Sequence, residues 1–236
     1  MITQSSSVVA PGERGAAREP CARSYLSIVL RPSRIRLLIA LACAGGLVAL
    51  PGCGVSAEGG GRAYRGAVLA HPIPRPSFTL TDTHGQPFDF RAKTDSTVTL
   101  LFFGYLNCPD VCPVHMTNIA SVLRTMPYEV TRMVRVVFIT TDPARDTPGK
   151  LQKWLADFDP TFIGLRGTPE QVKAIEKSVG VAPAVAGAAD SSGNYEVGHA
   201  AQVIAFTPDD SAHVVYPFGT RQADWVHDLP LLAQVK

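Results

Sequence analysis

The chain has no apolar run long enough to cross a bilayer. Its longest, residues 37–50, is fourteen residues, against the ~20 that a membrane-spanning helix needs. It has no twin-arginine pair, which leaves export of an unfolded chain, with any metal loaded after translocation. It has no Lys/Arg stripe: residues 53–236 carry 16 basic and 18 acidic residues, a net −2, so nucleic acid is excluded as a partner. It has no internal repeat, which excludes solenoids and propellers. It also has no C-x-x-C, the usual spacing of dithiol oxidoreductases, and only five cysteines.

What it does have begins with a leader. Residues 1–52 hold six arginines and two glutamates, a net +4. "RPSRIR" (31–36) precedes the apolar run, and "PGC" follows it. A basic segment, a short apolar stretch and a small-residue exit have the layout of a secretory signal. "LPGC" (50–53) resembles a bacterial lipobox, in which Cys53 is lipidated and becomes the new N-terminus; Pro51 departs from the usual pattern. The competing expectation is an uncleaved signal anchor. Residues 1–30, rich in Gly, Ser, Pro and Arg, are either disordered or an over-long start. Cys21 and Cys43 lie in this leader, so cleavage at Cys53 leaves Cys108 and Cys112 as the free thiols. Residues 53–71, Gly/Ala-rich, are expected to be a flexible tether to a domain at 72–236, on the extracytoplasmic face of the plasma membrane.

Within that domain, "FTLTDTHGQPFDF" (78–90) predicts an N-terminal β-hairpin about a His-Gly turn. "TVTLLFFGY" (97–105) and "MVRVVFITTD" (133–142) predict strands covered on both faces. "VHMTNIASVLRTM" (114–126) has helical apolar spacing. "DTPGKLQKWLADF" (146–158) and "TPEQVKAIEKSVG" (168–180) each place a proline in the first helical turn. In the second, Thr168 and Gln171 form a capping-box pattern and Gly180 suits the end. Strands at 201–209 and 212–219 and a helix from about Gln222 complete an α/β sandwich.

The chemistry sits in "GYLNCPDVCPVH" (104–115), where the first buried strand meets its helix, the end at which open α/β sheets bind ligands. The C-x-x-x-C pair allows a redox couple, a structural staple or part of a metal site. An i, i+4 bridge constrains little of the unfolded chain, which argues against the staple. An oxidising compartment suits redox chemistry. The first turn of a helix stabilises thiolate, and thiolates favour Cu(I) and Zn(II). His199, just before the strand at 201–207, is the candidate third partner. His115 is its local rival, and spacing alone assigns it an exposed polar role. His71, His84, His213 and His227 are expected at the surface.

"FFGYLNCPDVCP" (102–113), "TTDPARDTP" (140–148) and "YEVGHA" (195–200) together resemble the signature segments of the SCO/SenC family, membrane-tethered copper proteins. The resemblance covers roughly residues 73–235. It implies a thioredoxin-like fold, a central mixed β-sheet flanked by helices. It implies that Cys108, Cys112 and His199 bind copper, as Cu(I) or Cu(II), and that Asp142 lies near the cysteine loop. It implies a copper-receiving partner, cytochrome c oxidase subunit II, whose copper centre the protein loads or prepares. Such a metallochaperone is not an enzyme; the alternative is a thiol–disulfide oxidoreductase acting on protein cysteines. The family often reads D-H-[ST] at the histidine, whereas Gly198 and Ala200 flank His199 here, so the orienting carboxylate is missing. Asp146 or Thr147 can cap the helix that follows, with Asp146 the expected one.

Overall fold

The computed structural model describes residues 64–236. The leader, Cys53 and most of the expected tether lie outside the described residues.

The chain runs through β1 (Ala67–Pro74), β2 (Thr79–Asp82), β3 (Pro87–Asp89), α1 (Phe90–Lys93), β4 (Val98–Gly104), α2 (Val111–Thr125), α3 (Tyr128–Thr131) and β5 (Val134–Thr140). It continues through α4 (Pro148–Ala156), β6 (Ile163–Arg166), α5 (Pro169–Ser178), β7 (Val185–Ala186), β8 (Val197–Gly198), β9 (Val203–Phe206), β10 (Ser211–Tyr216) and α6 (Gln222–Leu232). Eight strands form one mixed sheet in the order β1-β10-β9-β4-β5-β6-β2-β3. β4, β5 and β6 are parallel; β9 is antiparallel to β4, and β10 to β9. This is the predicted mixed α/β sheet. The hairpin is also where the sequence puts it, with Gly85 at φ 77° in its turn. Asp82 holds that turn by accepting from the N–H groups of His84 and Gln86, both at 2.8 Å.

β4 explains why both faces must be covered. Every residue from Val98 to Gly104 is buried. Leu100 and Phe102 enter one core with Met116 and Ile119 of α2, Leu151 and Leu155 of α4, and Trp225 of α6. Leu101 and Phe103 enter the other with Phe90 of α1 and Val172 and Ile175 of α5. The period-2 alternation of a strand thus serves two hydrophobic layers. Each fully buried Leu or Phe contributes about 1.5–3 kcal/mol. α5 carries the capping box expected of Thr168 and Gln171.

Two strands of the main sheet depart from the sequence reading. The fold starts at β1, earlier than the expected Pro72, because Ala67 and Val68 pair with Val215 and Val214 of β10. The carboxylate of Asp228 also accepts from the N–H groups of Arg65 and Gly66 at 2.9–3.0 Å. The residues taken for the end of a tether are therefore part of the sheet. β6 lies unannounced between two helices, since four residues with a central glycine give no strand signature. That glycine is required: a Cβ on Gly164 would stand 2.8 Å from Leu151 Cγ and Leu155 Cδ1. Its absence lets α4 lie against the strand.

Candidate metal centre

β4 ends at Gly104, and the loop after it delivers Cys108 to the start of α2. Asp110 caps that helix by accepting from the Val111 N–H at 2.5 Å. Cys112 sits in the first turn, and its N–H points at Cys108 Sγ at 3.4 Å. Pro113 occupies a first-turn position where no intrahelical donor is lost. The cysteine sulfur packs directly over the strand end. A Cβ on Gly104 would lie 2.6 Å from Cys112 Sγ and 3.0 Å from the Phe138 ring. Both cysteines are free thiols and both are buried. Burial pushes the Cys112 thiol well above the usual range; the Tyr105 backbone opposes this and Cys108 reinforces it.

His199 arrives from the far side of the sequence, between β8 and β9. Its Nε2 lies 3.5 Å from Cys112 Sγ and 3.8 Å from Cys108 Sγ. Its Nδ1 lies 3.0 Å from the Ala200 carbonyl oxygen. A carbonyl only accepts, so Nδ1 carries the proton and Nε2 offers its lone pair to the sulfurs. Burial holds the imidazole pKa below its usual value, against the opposing pull of the Ala200 and Phe103 carbonyls, and so favours the neutral ligand form. Phe102 and Tyr105 present T-shaped contacts to the ring at 5.8 and 5.6 Å. The three donor atoms lie within 4.8 Å of one another. Two soft sulfurs and an imidazole, with no carboxylate among them, suit Cu(I) or Zn(II) and not a hard cation. The orienting job that a neighbouring carboxylate would do is done by the Ala200 backbone.

The family model for SCO1/SenC matches residues 70–234. The chain belongs to the SCO1/SenC family. A Stutzerimonas stutzeri protein named for copper binding is 37% identical over 152 residues, 61% of this chain and 70% of its own length. The yeast mitochondrial SCO2 protein is 37% identical over 116 residues, 49% of this chain, but the chain spans only 36% of that relative's length. Among solved structures, apo Sco1 from Thermus thermophilus aligns with a TM-score of 0.64 at 30% identity, covering 74% of this chain and 99% of that one. Bradyrhizobium japonicum ScoI with copper bound gives 0.59 at 30% identity, covering 67% and 99%.

Around the SCO1/SenC cysteine loop, the carboxylates are arranged differently from the sequence reading. Asp146 does not cap α4; Thr147 does, accepting from the Lys150 N–H. Asp146 turns inward instead, accepting from the Leu106 N–H at 3.2 Å and the Thr140 hydroxyl at 2.5 Å. It is therefore the carboxylate that touches the cysteine loop, and burial raises its pKa. Asp142 pairs with Arg145 and accepts from the Tyr195 hydroxyl at 2.9 Å. Arg145 lies 3.5 Å from the Tyr195 ring centroid and 5.8 Å from that of Tyr105. Asp142 thus reaches the site at one remove. Glycine and small residues put Tyr195 in a loop, and its place at the head of "YEVGHA" was the signal that marked it.

The histidines also sort themselves. His115 is buried, contrary to the exposed role its spacing suggested, and its Nε2 lies 2.9 Å from the Ala201 carbonyl oxygen. His213 pairs with Asp209 and His227 with Asp228, both at 2.7 Å, while His71 and His84 are exposed.

Proposed function

We propose that this SCO1/SenC protein carries copper on Cys108, Cys112 and His199 and hands it to a receiving protein, cytochrome c oxidase subunit II. The observation that supports this most is the convergence of Nε2 on both sulfurs, at 3.5 and 3.8 Å, from positions 87 and 91 residues apart. A three-donor set is coordinatively unsaturated, so an incoming thiolate from the recipient can attack the metal and displace one ligand at a time. Cys108, the less buried residue at 8% exposure against 0% for Cys112, is the first to be displaced. The copper-bound relative at 30% identity supports copper over zinc. The basic segment, short apolar run and Cys53 support attachment of the chain to the outer face of the plasma membrane through a lipid. Incorporation of labelled fatty acid into wild type, absent in Cys53→Ser, tests that attachment.

The deciding experiment titrates the purified full-length chain, reduced, with Cu(I) against a competing chelator. One copper per chain is expected, lost in Cys108→Ser and Cys112→Ser and weakened in His199→Ala. A wild-type chain that fails to compete for copper would overturn the proposal. A second reading, a thiol–disulfide oxidoreductase, is favoured by the two free thiols lying so close together. It predicts that His199→Ala keeps full exchange with protein disulfides while copper binding falls.

A further inference from the structure

The candidate site is assembled from two pieces of chain that share no sequence: the β4–α2 loop with its cysteines, and the four residues 199–202 between β8 and β9. Something has to fix the second piece against the first, because residues 199–202 belong to no strand or helix. Besides the pull of the Phe103 carbonyl on the His199 ring, one polar tie comes from α2 itself. His115, one helical turn beyond Cys112, is 3% exposed, and its Nε2 lies 2.9 Å from the Ala201 carbonyl oxygen. The oxygen only accepts, so Nε2 carries the proton and donates. Burial lowers the pKa of His115, against the pull of that carbonyl, which leaves a neutral ring with its single proton on the bonded nitrogen. The ring is walled by Phe102 at 5.1 Å and Phe218 at 5.8 Å. Phe102 also touches His199 at 5.8 Å, so both imidazoles lean on one aromatic side chain.

We propose that His115 is a positioning residue for the metal centre: through Ala201 it bolts the His199 loop to the helix that carries Cys112. The bond lies two residues beyond His199 and three beyond Cys112, so it sets the distance between imidazole and sulfur without joining the ligand set. Nothing in the C-x-x-x-C spacing requires this histidine, and an aromatic or aliphatic residue would fill the same space. What such a residue lacks is the N–H. Without it the Ala201 carbonyl is left without its buried donor, and the loop is free to turn toward water to satisfy it. The thiols keep their place on α2; the third ligand loses its fixed position.

The test rests on the copper reading and is built to fail separately from it. Four full-length variants are compared with wild type by Cu(I) competition: His115→Phe, His115→Gln, His199→Ala, and His115→Phe with His199→Ala. Phenylalanine keeps the packing and removes the donor; glutamine restores an N–H at a similar reach. The expected result is on the order of tenfold weaker copper for His115→Phe, the scale on which partners of metal ligands act. His115→Gln should recover most of that loss, and the double variant should bind no more weakly than His199→Ala alone, because the bolt acts only through His199. A metal-free readout runs beside it. In wild type the His115 Nε2–H should give a slowly exchanging proton resonance, and amide exchange over residues 200–202 should quicken in His115→Phe and recover in His115→Gln. Wild-type affinity in His115→Phe, additive losses in the double variant, or a glutamine variant as weak as phenylalanine would each overturn the positioning role. If His199→Ala binds copper as wild type does, the ligand assignment itself falls, and the positioning role with it.

Discussion

The two ends of the central sheet use buried polar groups in opposite ways. At the end where β4 begins, Arg75 is completely enclosed, its side chain 0% exposed. Its nitrogens meet the hydroxyls of Thr94 and Thr99 at 2.7 and 2.8 Å and the carbonyls of Thr97 and Thr207 at 3.0 and 2.9 Å. Nε lies 3.0 Å from Asp210, an ion pair that matches the charge while the hydrogen bonds run through the other two nitrogens. That network ties three stretches of chain: the β1–β2 connection, residues 94–99 and the β9–β10 turn. At the other end, where β4 stops at Gly104, two thiols and an imidazole face one another with unused lone pairs. The difference is one of saturation. A buried charge ringed by acceptors and paired with a carboxylate fixes the fold, whereas donors held together but unsaturated call for a cation from outside.

The sharpest way to break this contrast is to remove the saturated end. Arg75→Met keeps much of the aliphatic stem but leaves the Thr97 and Thr207 carbonyls without this donor, while Asp210 keeps Arg91. A loss of about 1–3 kcal/mol in stability is expected for each buried carbonyl left unmet. Denaturant unfolding measures it, and copper affinity per folded molecule should be unchanged. If affinity fell in proportion, the two ends would be coupled and the separation of roles would not hold.

Gly104→Ala strikes the unsaturated end. The new Cβ would meet Cys112 Sγ at 2.6 Å and the Phe138 ring at 3.0 Å, closer than real contacts allow. The sulfur is on a helix and the ring is in the core, so neither yields cheaply. About 1–3 kcal/mol of destabilisation is expected from such overpacking. Unlike Arg75→Met, this change should weaken Cu(I) in the same competition assay, since it moves a ligand. Unaltered copper binding would show that Cys112 has room to shift and that the close approach of strand and sulfur is incidental.

Asp146→Ala lies between the two ends in character. It leaves the Leu106 N–H and the Thr140 hydroxyl without their acceptor, so about 1–3 kcal/mol is expected from unpaired buried donors. Because Leu106 is in the cysteine loop, a smaller drop in copper affinity should accompany it. Stability loss with no change at the metal would confine Asp146 to holding β5 and the loop together.

How much of this was legible beforehand differs by region for physical reasons. β4 and β5 announce themselves because strands buried on both faces need unbroken apolar sequence, and "TVTLLFFGY" has nowhere else to go. The cysteines are legible because their spacing and flanking prolines are local. His199 was singled out by its place just before a strand and then by resemblance to a family pattern, but its approach to the sulfurs depends on β9 lying beside β4. Arg75 gave no signal at all: an arginine between two prolines looks like a solvated turn, and only the fold reveals five partners around it. Asp146 and Thr147 were both reasonable caps, and neighbouring side chains at a helix start cannot be ranked without knowing which one faces the core. β6 and the start of β1 were hidden because glycine and alanine, which permit close packing, also dilute every strand signature.

That pair of neighbours supplies the mildest and most discriminating change. Thr147 accepts from the Lys150 N–H at 3.4 Å and is exposed, so Thr147→Ala removes a cap and nothing else. About 1 kcal/mol is expected, the usual effect of losing an N-cap, and at 3.4 Å the low side of that range is the better guide. Copper affinity should stay at the wild-type value. Set beside Asp146→Ala one residue away, the two variants ask whether proximity in sequence or contact across the fold governs the site. The backbone of α4 begins at Pro148 in either case, and both changes loosen the same short segment. If Thr147→Ala weakened copper as much as Asp146→Ala, the effect would come from fraying of that segment. If only Asp146→Ala does so, the influence travels through the bond to Leu106, and the carboxylate inside the fold, not the cap outside it, supports the cysteine loop.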